Sequence, residues 1–376
     1  MIKDIHLHII SFDIPYPANY GGVIDVFYKI KSLNDLGIKI HLHTFEYGRK
    51  RQKYLETICF EVNYYKRNKC FFNLFSTKPF IVKSRDNKNV LKKLLSDNYP
   101  ILFEGIHSTY YLSHPSLKSR VKFVRTHNIE HNYYEGLAKS ESNFFKKLFF
   151  KLEAKKLLKF EDNLKNSDII FSLSPNDQLF FDNKFNNSEY VSAFHSNSNV
   201  SSQEGKGKYI LYHGNLSVAE NIKSVNFLIK NVFSILSFPV VIAGKNPHFS
   251  IIDSIKNYKN IKIIPNPHEN EMQGLIANAH ICILHTFQAT GIKLKLLDSL
   301  FAGRFCIANS IIVENTGLEE LCSIKNTSDE IISEISNLFD IDFKTENIIV
   351  RKEKLSTTFS NSENALKILK HLKTNE

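Results

Sequence analysis

Two rhythms alternate along the chain. Short apolar runs of strand length are separated by stretches whose apolar residues recur every three or four positions, the spacing of a helix buried along one stripe. "DIHLHII" reads as a first strand, followed by the loop "SFDIPYPANYGG". Val23, Val26, Phe27, Ile30 and Leu33 then mark a helix that Gly37 ends, and "IKIHLHTF" is a second strand. Residues 48–85 are basic and aromatic without a clear period. From there the pattern predicts a helix near 88–97, strands "ILFEGIHS" and "VKFVRTHN", a long helix at roughly 140–165 and a strand "SDIIFSLS". Residues 195–208, "HSNSNVSSQEGKGK", are polar and Gly-containing, as a linker would be.

Beyond it the rhythm restarts. Strands "KYILYHG", "PVVIAG", "NIKIIP", "HICILHT" and "FCIAN" alternate with helices at 220–233, 248–257, 269–278 and 292–302. "SENALKILKHLK" closes the chain as an amphipathic helix. Strand–helix alternation predicts an α/β protein with doubly wound parallel sheets in two Rossmann-like domains. The expected boundaries are 1–195, a linker at 196–208, 209–360, and a helix at 361–376 packing back toward the first domain. Ligands of such sheets bind at the carboxyl ends of the strands, here expected in a cleft between the domains.

Length and composition agree with two globular domains. The chain has 376 residues, 43% hydrophobic and 23% charged. Its net charge of +11 favours anionic partners without choosing among them, and no nucleic-acid-binding signature accompanies it. The five cysteines show no metal or redox spacing, which fits a reduced, cytoplasmic setting. The amino-terminal residues lack a secretory pattern, and no apolar run approaches the ~20 residues of a membrane span.

The candidate chemistry concentrates in "HTFQATGIKLKLLDSLFAGR", residues 285–304. An apolar strand delivers Thr290 and Gly291 to the sheet edge, where Gly291 permits close backbone approach and a helix begins. A helix amino terminus carries free N–H groups and partial positive charge, so it attracts anions. Lys293 and Lys295 add formal charge. Asp298 is an acceptor-only group suited to the paired hydroxyls of a ribose. Together they describe a nucleotide-diphosphate site; taken alone, the same charges could equally solvate a helix. His285 ends the preceding strand and is a candidate to support the site from behind.

Other strand ends offer further groups. His127 follows a buried strand with Arg125, Asn128 and Glu130 close by, and suits hydrogen-bond or acid–base work near neutral pH. Glu104 and His107 in "FEGIHS" are similar. Gly21 and Gly22 could bring backbone N–H groups to a phosphate or sugar, or could simply make a tight turn. His6, His8, His41 and His43 alternate on early strands as sheet residues. "FFKKLFFKLEAKKLLKF" is a basic amphipathic segment that could lie on an anionic leaflet or pack with solvated lysines, and the aromatic stretch 71–80 is a second candidate for lipid contact.

"TGIKLKLLDSLFAGRFCIA" resembles the nucleotide-sugar motif of GT-B glycosyltransferases of family 4, with its group 1 domain. "ILYHGNLSVAEN", "VVIAG" and "NIKIIPNPHENEMQGLIANAHICIL" follow in that family's order, and "PYPANYGG" resembles its Gly loop. The resemblance implies a GT-B fold whose second domain binds a nucleotide-sugar and whose first binds an acceptor. It implies retention of anomeric configuration, no cofactor and no bound metal. Gly214, Asn215, Lys245, Thr290, Gly291, Asp298, Gly22 and the stretch from Ile264 to Asn266 would meet the donor. Lys295, Lys293 and His127 would act on the reacting groups, while Gly21, Glu104, Arg125, Glu130 and His285 would serve the acceptor or support the site. The chain departs from the family pattern. Of two glutamates usually eight positions apart, the first is Thr290 and the second Asp298. The Arg and Lys of the opening turn are Asn215 and Glu220, so Lys295, with Lys293 or Lys245, would neutralise the diphosphate. The expected partners are a nucleotide-sugar and a saccharide or lipid-linked acceptor, with peripheral membrane contact through 144–160 and no nucleic acid. Surface-polysaccharide synthesis is the implied setting. A GT-B epimerase and a non-catalytic GT-B partner protein stay open.

Overall fold

The computed structural model describes residues 4–141, 143–287, 294–314 and 316–373. The chain divides into two compact units, Met1–Ser196 with Phe359–Glu376, and Asn197–Thr358.

The first unit carries seven parallel strands: β1 (His6–Ser11), β2 (Lys39–Glu46), β3 (Glu61–Lys66), β4 (Ile101–Glu104), β5 (Lys122–Thr126), β6 (Ile169–Ser172) and β7 (Ser188–Tyr190). Their order is β3-β2-β1-β4-β5-β6-β7. One face of β1 and β2 presents Leu7, Ile9, Ile40 and Leu42, packed against Val23, Val26, Phe27, Ile30 and Leu33 of the helix Gly21–Asp35. Ala365, Ile368 and Leu372 of the helix Asn361–Lys373 complete the same cluster. The opposite face holds Ile10, Phe45, Phe103, Val124 and Ile170.

The second unit carries β8 (Ile210–Asn215), β9 (Val240–Lys245), β10 (Ile261–Pro265), β11 (Ile281–Leu284), β12 (Phe305–Ala308) and β13 (Ser323–Ile324), in the order β10-β9-β8-β11-β12-β13. All pairings are parallel in both sheets. Each sheet is therefore doubly wound and reverses beside its first strand, at β1/β4 and at β8/β11.

Several elements differ from the reading of the sequence. "ILFEGIHS" is strand only to Glu104; Gly105 takes φ 65° and a 3₁₀ turn, Ile106–Tyr111, follows. The left-handed glycine breaks the strand. The long helix is shorter than expected, Phe144–Phe160, and a separate helix Glu130–Ser140 precedes it. Within 48–85 lie a short helix Lys53–Ile58, β3 and a 3₁₀ turn Phe71–Phe75. The edge strand β3 is half-buried with a single fully buried position, so its apolar signal is weak. The helix expected at 220–233 is α-helical from Ala219 to Leu228 and ends in a π turn, Ile229–Phe233.

Candidate functional site

The reversal point of the second unit brings Gly214, Asn215, Lys295 and His285 together. β8 and β9 end side by side, with Gly214 opposite Gly244. A Cβ on Gly244 would lie 1.8 Å from the Gly214 carbonyl oxygen, so only glycine permits this approach. The Asn215 side-chain oxygen is engaged locally: Oδ1 accepts from the Ser217 amide at 3.1 Å and from the Ser217 hydroxyl at 2.8 Å. Asn221 then links three elements: Nδ2 donates to the Asn215 carbonyl at 2.9 Å, while Oδ1 accepts from Lys295 Nζ at 3.3 Å and from the Tyr212 hydroxyl at 3.3 Å. The Lys295 ammonium also lies 5.1 Å from the centre of the buried Tyr212 ring and 3.5 Å from the His285 carbonyl oxygen.

Lys295 and Asp298 stand three residues apart on the helix Leu294–Ala302, whose Leu296, Leu297, Leu300 and Phe301 are buried. The spacing puts both polar groups on one side of the helix. Asp298 accepts from Asn197 Nδ2 at 2.8 Å. Burial pushes its carboxyl up to about 6, against the Asn197 hydrogen bond and with nearby Glu269 adding to the rise. Arg351 fixes the other end of this helix. Its guanidinium, itself buried, donates to the carbonyls of Leu300 at 3.2 Å and Gly303 at 2.5 Å, and to Arg304. A cation there complements the carboxyl end of the helix dipole.

His285 is buried beside Lys295, stacked on Phe227 with ring centres 4.9 Å apart. Burial, then the Lys295 charge, lowers its pKa to about 4, so it is neutral, and Nδ1 has no hydrogen-bond partner among the described residues. Glu220, where the resemblance would place a lysine, accepts from the Thr286 hydroxyl. Lys245 is exposed at the end of β9. Ile264 is half-buried on β10. Asn266 follows in a left-handed turn at φ 51° and accepts from the Asn246 amide at 2.8 Å. Thr290, Gly291 and Lys293 lie outside the described residues.

The reversal point of the first unit is a buried charge network. Asp25 and Lys29, one turn apart on the first helix, pair at 2.8 Å, and Lys29 pairs with Glu104 at 2.9 Å. Arg125 donates to Asp25 at 2.9 Å and to the carbonyls of Val191 and Ser192. Arg125 and Glu104 are fully buried, so they hold this network together rather than face a ligand. Burial alone would raise the Asp25 carboxyl, but Arg125 and Lys29 hold it well below the usual range. His127 sits at the rim, with Nε2 3.3 Å from Glu104, and meets the Phe12 ring edge-on at 5.4 Å. Asp25, Glu104 and His127 each offer an atom within 4.8 Å of the others, the only such group among the described residues that could hold a metal. Lys29 and Arg125 already neutralise both carboxylates, so this donor set does not fit a dication.

Gly22 packs on Phe12, whose ring would lie 2.8 Å from an added Cβ, while nothing stands within 4 Å of one at Gly21. Glu130 is buried in the first turn of its helix, and burial pushes its carboxyl up to about 8. Sequence reasoning missed Asp25, Lys29, Asn197 and Asn221. The first two had a signal, since a charged i, i+4 pair falls among the apolar positions Val23, Val26, Phe27 and Ile30 of one helix. The two asparagines had none.

Residues 207–340 match the model of the family described as glycosyl transferases group 1. A protein described as an uncharacterized 44.6 kDa protein in the cps region of Klebsiella pneumoniae is 26% identical over 351 residues, covering 86% of this chain and 88% of that one. Among solved structures, HepE of Anabaena with UDP-glucose superposes with a TM-score of 0.66 at 10% identity, covering 98% of this chain and 100% of that one. TarM of S. aureus, in complex with fondaparinux, α-GlcNAc-glycerol and UDP, gives 0.65 at 12% identity and covers 99% of both chains. Two doubly wound sheets of this order give the chain the GT-B fold, and its second unit carries the glycosyl transferases group 1 match.

Proposed function

We propose that this protein moves a sugar from a nucleotide-diphosphate sugar to a saccharide or lipid-linked saccharide, as a family 4 enzyme that retains configuration and uses neither metal nor cofactor. The observation that carries the reading is the pairing of Lys295 with Asp298 on one side of the helix that follows β11, the switch strand of the second sheet. The acceptor hydroxyl attacks the anomeric carbon as its bond to the diphosphate breaks. Lys295 neutralises the departing charge, joined by Lys293, Thr290 and Gly291 of the preceding segment and by Lys245. Asp298 accepts from the ribose hydroxyls, and the stretch from Ile264 to Asn266 meets the base. His127 orients the acceptor or sugar on the first unit. UDP is named with both HepE and TarM, which makes uracil the first base to test. The cps-region setting of the Klebsiella relative supports a role in surface-polysaccharide synthesis.

A thermal-shift series with UDP, GDP, ADP, dTDP and UMP tests the donor half. One diphosphate at 100 times its Kd should add about 2.7 kcal/mol of stability. Lys295→Ala should erase the advantage of UDP over UMP, whereas Asp298→Ala should weaken both. Equal shifts for wild type and both variants would remove the assignment. Donor hydrolysis, or transfer to an added saccharide, then separates an enzyme from a binding protein.

A further inference from the structure

Five phenylalanines of the first unit are strongly exposed, Phe71, Phe72 and Phe75 on one 3₁₀ turn and Phe144 and Phe145 at the start of the helix Phe144–Phe160, each between 66 and 79%. The turn and the helix are tied together. Lys156 Nζ donates to the Leu74 carbonyl at 2.7 Å and to Glu153 at 2.9 Å, and Glu153 in turn accepts from the Phe80 amide at 2.5 Å. The helix buries Glu153, Ala154 and Leu157. With about 3.6 residues per turn, its outward side then carries Phe144, Leu148, Lys151, Leu152, Lys155 and Lys159. Each of these is exposed, and no acidic residue stands among them. Its one acid, Glu153, is the buried partner of Lys156.

A solvated helix face carries charges of both signs and few large apolar groups. This one carries a single sign, interleaved with phenylalanine and leucine, beside a second aromatic projection. Lysines on long stems with aromatic and aliphatic neighbours match the boundary between anionic headgroups and acyl chains.

We infer that the first unit docks on an anionic lipid bilayer through the turn Phe71–Phe75 and the outward side of the helix Phe144–Phe160. The phenylalanines enter the interface, and the lysines select the headgroup charge. This goes beyond the donor assignment and can stand or fall without it, because nucleotide takes no part in the contact.

The test is co-sedimentation of the full chain with vesicles of phosphatidylcholine alone and of phosphatidylcholine with phosphatidylglycerol, without nucleotide. Binding to the anionic vesicles should be tighter by on the order of ten-fold or more, and should weaken in high salt. Replacing Phe72 and Phe145 together by serine should cut binding to the anionic vesicles at least about ten-fold, while Lys151→Glu with Lys155→Glu should remove the preference between the vesicles. Circular-dichroism melting and the nucleotide thermal shift should stay as in the wild type, showing that each variant folds. Absence of binding to either vesicle, or binding unaltered in both variants, overturns the proposal. So does a concentration-dependent dimer in light scattering that the Phe72/Phe145 double variant abolishes, since the same face would then join two copies of the chain.

Discussion

In the proposed role Asp298 accepts from ribose hydroxyls best when ionised, and burial pushes its carboxyl up to about 6. The raised value places the change inside the accessible pH range. Above it the group accepts from hydroxyls; below it a proton occupies one acceptor position. Nucleotide-diphosphate affinity should therefore be nearly flat above pH 7 and fall as pH drops through 6, by roughly ten-fold at pH 5. Titration calorimetry at fixed ionic strength measures this. In Asp298→Asn the affinity should be low at every pH and should lose that slope. The identity of this residue was legible in the sequence, since an acid two turns into a helix behind a Gly turn is a recognisable pattern. Its environment was not, because Asn197 reaches it from a segment about a hundred positions away. Arg125 shows the same limit. Its place at the end of a strand marked it as a residue serving the acceptor or supporting the site, without showing that Asp25 receives it inside the unit. Linear order reveals that a strand ends there but not which residues of other elements meet it.

Strands β1 and β2 illustrate how much a periodic pattern can conceal. The alternating histidines lie on one face as expected of sheet residues, but they are bonded in two chains. In one, His6 meets His41 at 2.9 Å and His41 meets Glu61 at 3.2 Å. In the other, Asp97 meets His8 at 2.9 Å, His8 meets His43 at 2.8 Å, and His43 meets the Tyr65 hydroxyl at 2.8 Å. Burial lowers His8 to about 4 despite Asp97, and holds His43 well below its usual value. For a base whose pKa falls on folding, the unfolded chain binds more protons between the two values. Stability is then full above about 6.5 and is lost as pH falls toward 4. His8 alone should remove roughly 2 kcal/mol between pH 6.5 and 5. Urea midpoints across that range measure the slope, which His8→Gln should flatten. The partners Asp97 and Tyr65 come from a loop and from the weakly patterned β3, which is why the sequence showed four sheet histidines and no network.

The alternation of strands and helices made both doubly wound sheets legible, because every crossover had to return its chain to a parallel position. The edge strands β3, β7 and β13 were missed for lack of apolar contrast. The helix Asn361–Lys373 places Ala365, Ile368 and Leu372 in the core of the first unit. Burial of Ile368 and Leu372 stabilises that unit by roughly 1.5–3 kcal/mol each. A chain ending at residue 358 should melt in two steps, with the first unit lowered and the nucleotide-dependent shift of the second retained. Differential scanning calorimetry with and without UDP distinguishes this from a uniform loss.

His195 and the residues just after Thr358 are bonded to one another. The His195 amide donates to Asn361 at 3.1 Å, Asn361 donates back to the His195 carbonyl at 2.7 Å, and the imidazole Nε2 bonds the Phe359 carbonyl at 2.8 Å. The polypeptide thus departs and re-enters the first unit through one clasp, which makes residues 197–358 a continuous cassette inserted in a host. Grafting that single segment from a relative would exchange the whole second unit at two adjacent seams and leave the first unit untouched.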